Sequence, residues 1–142
     1  MSGTNEAFIV FLPEACEEAL YQTLVKRIRA AFVIKAIWPK VSDANILSHY
    51  ENKTDPEIEI DKRHICMILQ AHDKAKDSLE LIAQVVGINK DPQKCMLGSL
   101  RRDFNKKLIE YANTTEEVVQ QMSWWKPVFV KKETQKGEKE NV

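Results

Sequence analysis

The sequence predicts a ferredoxin-like α/β (α+β) sandwich, in which helices flank a four-stranded antiparallel sheet. Three observations lead to this fold class. Short apolar runs typical of buried strands alternate with longer segments of helical period. Proline or glycine stands at the ends of several of these segments. The elements follow in the order β-α-β-(α)-β-α-β, which is the order of two split βαβ units, and a terminal helix comes after them.

The first half of the chain supplies a strand, a helix and a second strand. Residues 6–12 (EAFIVFL) form an apolar run that stops at Pro13, as expected for a buried strand. Residues 15–32 carry apolar side chains every three or four positions, with acids near the start and bases near the end. This pattern predicts an amphipathic helix. Residues 32–38 (FVIKAIW) are the second predicted strand, which we expect Pro39 to close.

A short helix and a polar connection come next. Ser42 or Asp43 can cap a helix that runs to about Tyr50. Residues 51–63 are polar and interrupted by a proline, so we expect an exposed connection. Within it, residues 57–61 alternate acidic and aliphatic side chains. That alternation indicates an edge strand or a solvated loop rather than a pair of catalytic carboxylates.

The second half repeats the arrangement. Residues 64–70 (HICMILQ) predict a central strand, and residues 74–86 predict a helix with one apolar face. Gly87 stands where a C-terminal helix cap belongs. A loop then runs to about Ser99, and residues 107–112 are the fourth predicted strand.

The end of the chain combines a helix with a charged segment. Residues 114–117 (TTEE) match the capping box and open the last predicted helix. Residues 131–142 mix lysine and glutamate without an apolar face, which predicts a disordered tail. The predicted organisation is therefore a flexible N-terminus over residues 1–5, one domain over residues 6–130, and the tail.

Composition excludes several classes of function. The chain has 142 residues, of which 44% are hydrophobic and 30% charged, and 21 bases balance 21 acids. This balance gives no reason to expect a nucleic acid or an anionic membrane as partner. No apolar run approaches the roughly 18–20 residues that span a bilayer. The start MSGTNEAF lacks the pattern of a signal peptide, so we expect a cytoplasmic location.

Four segments stand in an order that one known family shares. They are Leu12-Pro13-Glu14 after the first strand, His49-Tyr50 in a helix, Gly87-Ile-Asn-Lys-Asp-Pro92 after the third helix, and Gly98-Ser-Leu-Arg-Arg-Asp-Phe104. With the terminal helix and its tryptophan pair, they resemble the nucleoside diphosphate kinase domain over about residues 6–126. The segment from Gly98 to Phe104 is the most specific match, because the family has glycine, a hydroxyl residue, an aliphatic and an arginine there before Asp-Phe.

The resemblance implies a chemistry that this sequence does not support. Family members transfer a phosphoryl group through a phosphorylated histidine, with a lysine, arginines and magnesium to neutralise charge. Glu110 stands at the position of that histidine, and Leu12 at the position of the lysine. An ionised carboxylate close to a polyphosphate is repelled unless cations offset it. The resemblance therefore implies a divergent, inactive domain.

Further positions of the implied site also differ. The family's asparagine upstream of the histidine falls near Lys107, a phosphate-binding arginine at Ala83 and a threonine at Asn89. Arg101 and Tyr50 are the two positions that keep a functional family residue, and with Asn89 they form the residual, weak nucleotide-binding set. The chain is also shorter than the family between Tyr50 and His64, where a base-stacking lid belongs, and between Phe104 and Leu108. We expect no cofactor, with Mg-nucleotide only where residual binding persists.

The leading hypothesis is a non-catalytic domain for protein interaction or scaffolding. Divergent domains of this family are often parts of ciliary and flagellar proteins, so the resemblance implies a microtubule or axonemal partner and that location. Trp124, Trp125 and Phe129 are the candidate partner contacts, because adjacent tryptophans point in different directions on a helix and an extended apolar segment follows. The oligomeric state is left open.

Two other functions remain as alternatives. One is a nucleotide-binding sensor that performs no phosphoryl transfer. The other is an active kinase with a displaced nucleophile, for which Glu110, His49, His64 and His72 are the candidates. The histidines lack metal-ligand spacing such as HxxxH, so no metal site is expected. The basic cluster formed by residues 101, 102, 106 and 107 is a solvated face, a residual phosphate site or a docking patch.

Overall fold

The computed structural model describes residues 5–50, 58–89 and 91–126, and these residues form one four-stranded sheet with helices on both faces. The strands are β1 (Ala7–Phe11), β2 (Phe32–Val41), β3 (Arg63–Ala71) and β4 (Ile109–Tyr111). The helices are α1 (Glu18–Ala31), α2 (Ala44–Ser48), α3 (Ser78–Val86), α4 (Leu100–Phe104) and α5 (Thr115–Trp124).

All neighbouring strands of the sheet are antiparallel, in the order β2-β3-β1-β4. β1 lies in the centre, where Phe11 pairs with Ile65 of β3 on one side and with Ile109 of β4 on the other. β1 is completely buried, as expected for an apolar strand with partners on both sides. The predicted ferredoxin-like fold class is confirmed.

Two apolar cores lie on opposite faces of the sheet. Side chains of α1 and α3 pack on one face, and those of α2 and α5 on the other. The alternation of side chains along β1 explains this division, because Ile9 and Phe11 face the first core while Phe8 and Val10 face the second. The second core also holds Trp125.

The prediction that Pro39 ends the second strand is wrong. β2 continues to Val41, and Pro39 pairs with Ile65 of β3. A proline lacks the N–H group that a central strand needs, but an edge strand has one side without a partner. β2 is at the edge of the sheet that the described residues form, so the proline is tolerated there.

Other predicted boundaries also change. The third helix begins at Ser78 rather than at residue 74, because the Asp77 side chain accepts a hydrogen bond from Leu79 N and starts the helix there. The segment before the fourth strand contains α4, which the sequence pattern did not predict. Ile58, in the connection that we expected to be exposed, is buried in the second core.

The predicted caps are confirmed. Gly87 ends α3 with a φ of +128°, a region that favours glycine. Thr114 caps α5 by accepting a hydrogen bond from Glu117 N at 3.1 Å. The Glu117 carboxylate in turn accepts from Asn113 N, one residue before the cap. Asp43 caps α2 through Ile46 N.

Several of the predicted segments lie outside the residues that the structure describes. The start of the N-terminal segment (residues 1–4), most of the polar connection (residues 51–57) and the tail lie outside the described residues, as does Phe129. Among the described helices, none is long and apolar enough to cross a bilayer.

Candidate functional site

Glu110 and Lys107 form an ion pair beside the central strand. Lys107 Nζ lies 3.0 Å from Glu110 Oε2, and both side chains are largely buried. Glu110 pairs with Val10 of β1, and paired residues project from the same face of a sheet. Glu110 therefore lies on the face of the second core, with its carboxylate already neutralised by an ammonium group of its own chain.

Leu12 follows β1 and is also part of the second core. Its N–H donates a hydrogen bond to the carbonyl of Leu108 at 3.0 Å. The side chain is buried and apolar. The position therefore supplies packing and no positive charge.

Arg101 is buried, with only 4% of the residue exposed. Its Nη1 donates to the carbonyls of Gly87 and Asn89 at 3.0 and 3.1 Å, and its Nη2 donates to the carbonyl of Ile109 at 3.3 Å. The guanidinium carbon lies 5.3 Å from the centre of the Tyr111 ring. Arg101 therefore joins the end of α3, the following loop and β4 into one unit.

The carbonyl of Gly87 is the meeting point of this unit. It accepts hydrogen bonds from both Arg101 and the hydroxyl of Tyr111, the latter at 2.9 Å. Burial is the main cause that raises the pKa of Tyr111, so its hydroxyl stays a proton donor at neutral pH. A Cβ at Gly87 would approach Cys95 Sγ to 2.8 Å. Only glycine fits here without displacing its neighbours.

Asn89 and Ala83 belong to the same region. The carbonyl of Asn89 accepts from Arg101 and from Cys95 Sγ, and its side-chain oxygen accepts from Asp91 N at 2.9 Å. Ala83 lines a cavity of about 230 Å³ that lies beside this loop. Both oxygens of Asn89 therefore already accept hydrogen bonds from its own chain, and these bonds shape the loop.

Tyr50 is buried in the second core, on the opposite face of the sheet from Tyr111. Its hydroxyl accepts a hydrogen bond from Trp125 Nε1 at 2.8 Å. Burial strongly raises the pKa of Tyr50, and the nearby Glu110 carboxylate adds to the effect. Tyr50 therefore remains a neutral phenol that supports the packing of α5.

Comparison with known proteins identifies the fold. Neither a family model nor a curated protein sequence matches the chain. The apo nucleoside diphosphate kinase of Encephalitozoon cuniculi matches with a TM-score of 0.71 at 17% identity, over 85% of this chain and 88% of that one. The fold of this chain is nucleoside diphosphate kinase-like.

Two further structures agree with this assignment. One is a transition-state mimic of the nucleoside diphosphate kinase from Borrelia burgdorferi with bound vanadate and ADP. It matches with a TM-score of 0.69 at 11% identity, over 87% of this chain and 88% of that one. A nucleoside diphosphate kinase family protein from Babesia bovis matches with a TM-score of 0.69 at 16% identity, over 84% and 86% of the two chains. At such identities the likeness establishes the shared fold.

The basic cluster of this nucleoside diphosphate kinase-like domain is engaged in internal contacts. Arg101 and Arg102 donate to main-chain carbonyls, and Lys106 and Lys107 each pair with a glutamate, at 2.6 and 3.0 Å. Surface pairs are exchangeable, but the buried Arg101 is not presented to solvent.

The tryptophan pair divides into a buried and a partly exposed residue. Trp125 has no exposed surface, which corrects its prediction as a partner contact, because its indole packs in the second core against Tyr50 and His64. Trp124 is partly buried and stacks on the ring of His49, with 4.4 Å between centres and 6° between planes. Trp124 keeps some exposed surface.

The three histidines do not converge on one site. His64 is buried, with Nδ1 2.9 Å from the carbonyl of Lys62, and burial lowers its pKa. His72 contacts the carbonyl of Arg29, and His49 stacks on Trp124. Within the described ranges, no group of three or more His, Cys, Asp or Glu side chains could hold a metal ion.

One feature of the domain was missed by sequence reasoning. The loop after α3 exposes the large apolar residues Ile88, Met96 and Leu97. The available signal was the presence of apolar residues in a segment without helix or strand period. That signal alone cannot distinguish a surface loop from one that folds back into a core.

Proposed function

We propose that this chain is a non-catalytic nucleoside diphosphate kinase-like domain that acts through protein–protein contacts. The observation that carries the proposal is the placement of Arg101. An arginine that binds phosphate must present its guanidinium to the cleft. Arg101 is only 4% exposed, and its guanidinium donates to three carbonyls of its own chain. Leaving those carbonyls to bind phosphate would cost roughly 1–3 kcal/mol for each buried group that loses its partner.

The charge at the position of the nucleophile supports the same conclusion. Glu110 is ion-paired with Lys107, so the ammonium that could attract a triphosphate is held by the carboxylate. The pair carries no net charge, so it offers a polyphosphate much less attraction than a lone ammonium would.

The residues do not fit the Mg-nucleotide that the fold family implies. The positions that would supply cations hold Leu12 and Ala83, the arginine that remains is buried, and the tyrosine that remains is covered by Trp125. At the position of the nucleophile, Glu110 and Lys107 form a pair without net charge.

A transfer assay tests the absence of catalysis. Purified chain is incubated with GTP and CDP, beside a heat-denatured blank and an active nucleoside diphosphate kinase. We expect no CTP above the blank. CTP production that is abolished in a Glu110→Gln or a His64→Phe variant would show a displaced nucleophile and overturn the proposal.

A binding assay addresses the nucleotide-sensor alternative. Calorimetric titration with ADP and magnesium is expected to give no binding tighter than about 100 µM, which corresponds to roughly 5.5 kcal/mol. Tighter binding that disappears in Arg101→Lys, but not in Arg102→Lys, would favour a sensor. The sensor alternative would then replace the scaffold.

The axonemal partner suggested by the family resemblance remains a prediction. Co-sedimentation of the purified chain with polymerised microtubules tests it directly. The expected result is a saturable fraction in the pellet that a Trp124→Ser variant reduces, since Trp124 keeps exposed aromatic surface. A chain that stays in the supernatant at all tubulin concentrations would contradict a direct microtubule contact.

A further inference from the structure

The loop that follows α3 carries the most exposed large apolar side chains of the described residues. The exposed fractions are 74% for Ile88, 81% for Met96 and 80% for Leu97. All three lie within ten residues of the chain, in the loop whose Asn89 carbonyl accepts a hydrogen bond from Arg101. Clustered exposed apolar residues mark interaction sites more often than scattered ones do.

The backbone of this loop is held in place by side chains. Arg102 donates to the carbonyls of Gln93 and Cys95 at 2.9 and 3.3 Å, and Ser99 Oγ donates to the carbonyl of Met96 at 2.7 Å. Arg101 fixes the start of the loop through Asn89. A surface that is ordered before binding pays less conformational entropy when a partner arrives. The backbone of the loop is therefore held in place, while the side chains of Met96 and Leu97 remain exposed.

A cavity of about 230 Å³ lies between this loop and α3. That volume is below the roughly 300–1,000 Å³ of pockets that hold small molecules, and it suits one large side chain. The residues that line it are Ala83, Gln84, Gly87, Ile88, Asn89, Lys94, Cys95, Met96 and Ser99.

The charge of the cavity selects the kind of occupant. Lys94 is the single charged residue among the described lining residues, and none of these carries a carboxylate. An apolar side chain can fill the cavity, while a carboxylate next to it can pair with Lys94, whose side chain is exposed. Methionine adapts its shape to different apolar partners, so Met96 suits contact with a peptide.

We infer that this loop and cavity bind a short segment of a partner protein that inserts one large apolar side chain flanked by Asp or Glu. The inference rests on the proposed function and names the surface through which that function operates. A second copy of this chain is the competing occupant. The experiment below distinguishes the two.

Selection from a library of random 12-residue peptides, displayed on phage and panned on the full chain, tests the inference. We expect enriched peptides to place Phe, Trp, Leu or Met beside Asp or Glu. One enriched peptide is then synthesised with a fluorescein label, and its Kd is measured by fluorescence polarisation. The paired variant Met96→Ser/Leu97→Ser should weaken binding at least tenfold. Both side chains are highly exposed, so we expect the variant to fold normally.

Two matched variants make the test specific. Val119→Ser removes a large apolar side chain that is 65% exposed on α5, and it should leave the Kd unchanged. Lys94→Glu should weaken the acidic peptide and strengthen the same peptide with its acids replaced by lysine. Such a reversal of charge preference would not follow from a general loss of stability.

Three results would overturn the inference. The first is enrichment of no peptide, or of peptides without acids. The second is binding that Met96→Ser/Leu97→Ser and Val119→Ser change equally. The third is a dimer, seen by sedimentation equilibrium, that Met96→Ser/Leu97→Ser abolishes. The GTP and CDP assay on the same preparation reports separately on the proposed function, so failure of one does not imply failure of the other.

Discussion

Trp38 Nε1 donates a hydrogen bond of 2.7 Å to the main-chain carbonyl of Trp125. This bond ties the edge strand β2 to the end of α5 across 87 residues of sequence. Both indoles are buried in the second core, and the indole of Trp125 donates in turn to Tyr50. These three aromatic residues are hydrogen-bonded in series within the second core, on the face of the sheet on which Glu110 lies.

The first prediction concerns the two adjacent tryptophans. Trp125→Phe keeps an aromatic ring but removes the bond to the Tyr50 hydroxyl and leaves unfilled volume, so we expect a loss of about 1–3 kcal/mol in the free energy of unfolding. Trp124→Phe, at a partly exposed position, should cost less than about 1 kcal/mol. Urea unfolding measures both. Equal losses would contradict the placement of Trp125 in the core.

The second prediction compares the two adjacent arginines. Arg101→Lys keeps the charge but cannot reach the carbonyls of Gly87, Asn89 and Ile109 together, so we expect a loss of about 2–4 kcal/mol. Arg102→Lys, which affects a partly exposed side chain, should cost about 1 kcal/mol. The midpoint of denaturant unfolding measures the difference. A stable Arg101→Lys variant would show that the guanidinium is not a structural anchor.

The third prediction uses two glycines with positive φ. Gly87→Ala places a Cβ 2.8 Å from Cys95 Sγ and 3.1 Å from Arg101 Cβ, at a φ of +128°. Backbone strain and overpacking together should destabilise the domain by at least about 2 kcal/mol. Gly98→Ala has a φ of +92° but no atom within 4 Å of the new Cβ, so strain alone should cost about 1 kcal/mol. Thermal unfolding of both variants gives the comparison.

The sheet could be predicted from sequence because its signal is local. The apolar run at β1 has to be buried, and the alternating segments around it then have few arrangements. The end of β2 could not be predicted, because whether Pro39 is tolerated depends on the position of the strand at an edge. The start of α3 was misplaced because residues 74–76 are compatible with a helix in sequence, whereas the cap at Asp77 sets the first turn in the structure.

The site is harder to predict than the fold. Resemblance placed Arg101 and Tyr50 among the residual nucleotide ligands, since a motif gives a residue type and a position. It does not give the direction of a side chain. Here the carbonyls of the Gly87 loop and the indole of Trp125 supply hydrogen-bond partners that are distant in sequence. Those tertiary contacts turn both side chains toward the interior.

The fourth prediction concerns the pH dependence of stability. Burial lowers the pKa of His64, while Lys62 and Glu59 oppose that effect. The unfolded chain, with an ordinary histidine pKa of about 6.5, therefore binds the proton first as the pH falls. Stability is present above that pKa and is lost below it, until the pH passes the pKa of the folded state.

Variants at two histidines test this origin. Between pH 7.5 and 5.5, His64→Phe should lose less stability than the unmodified chain does. His72→Gln, which replaces an exposed histidine, is the matched control. Urea unfolding at several pH values provides the measurement. An identical decline in His64→Phe and the unmodified chain would assign the effect to other groups.

The last prediction concerns the position of the nucleophile. Glu110→His restores an imidazole there, but Leu12 still supplies no charge and Arg101 still donates to its own backbone. We therefore expect no acid-labile phosphoenzyme after incubation with labelled ATP and magnesium, beside an active nucleoside diphosphate kinase as positive control. Circular dichroism must show that the variant is folded. A labelled histidine in Glu110→His would mean that the cleft still admits a triphosphate, and that Glu110 alone suppresses catalysis.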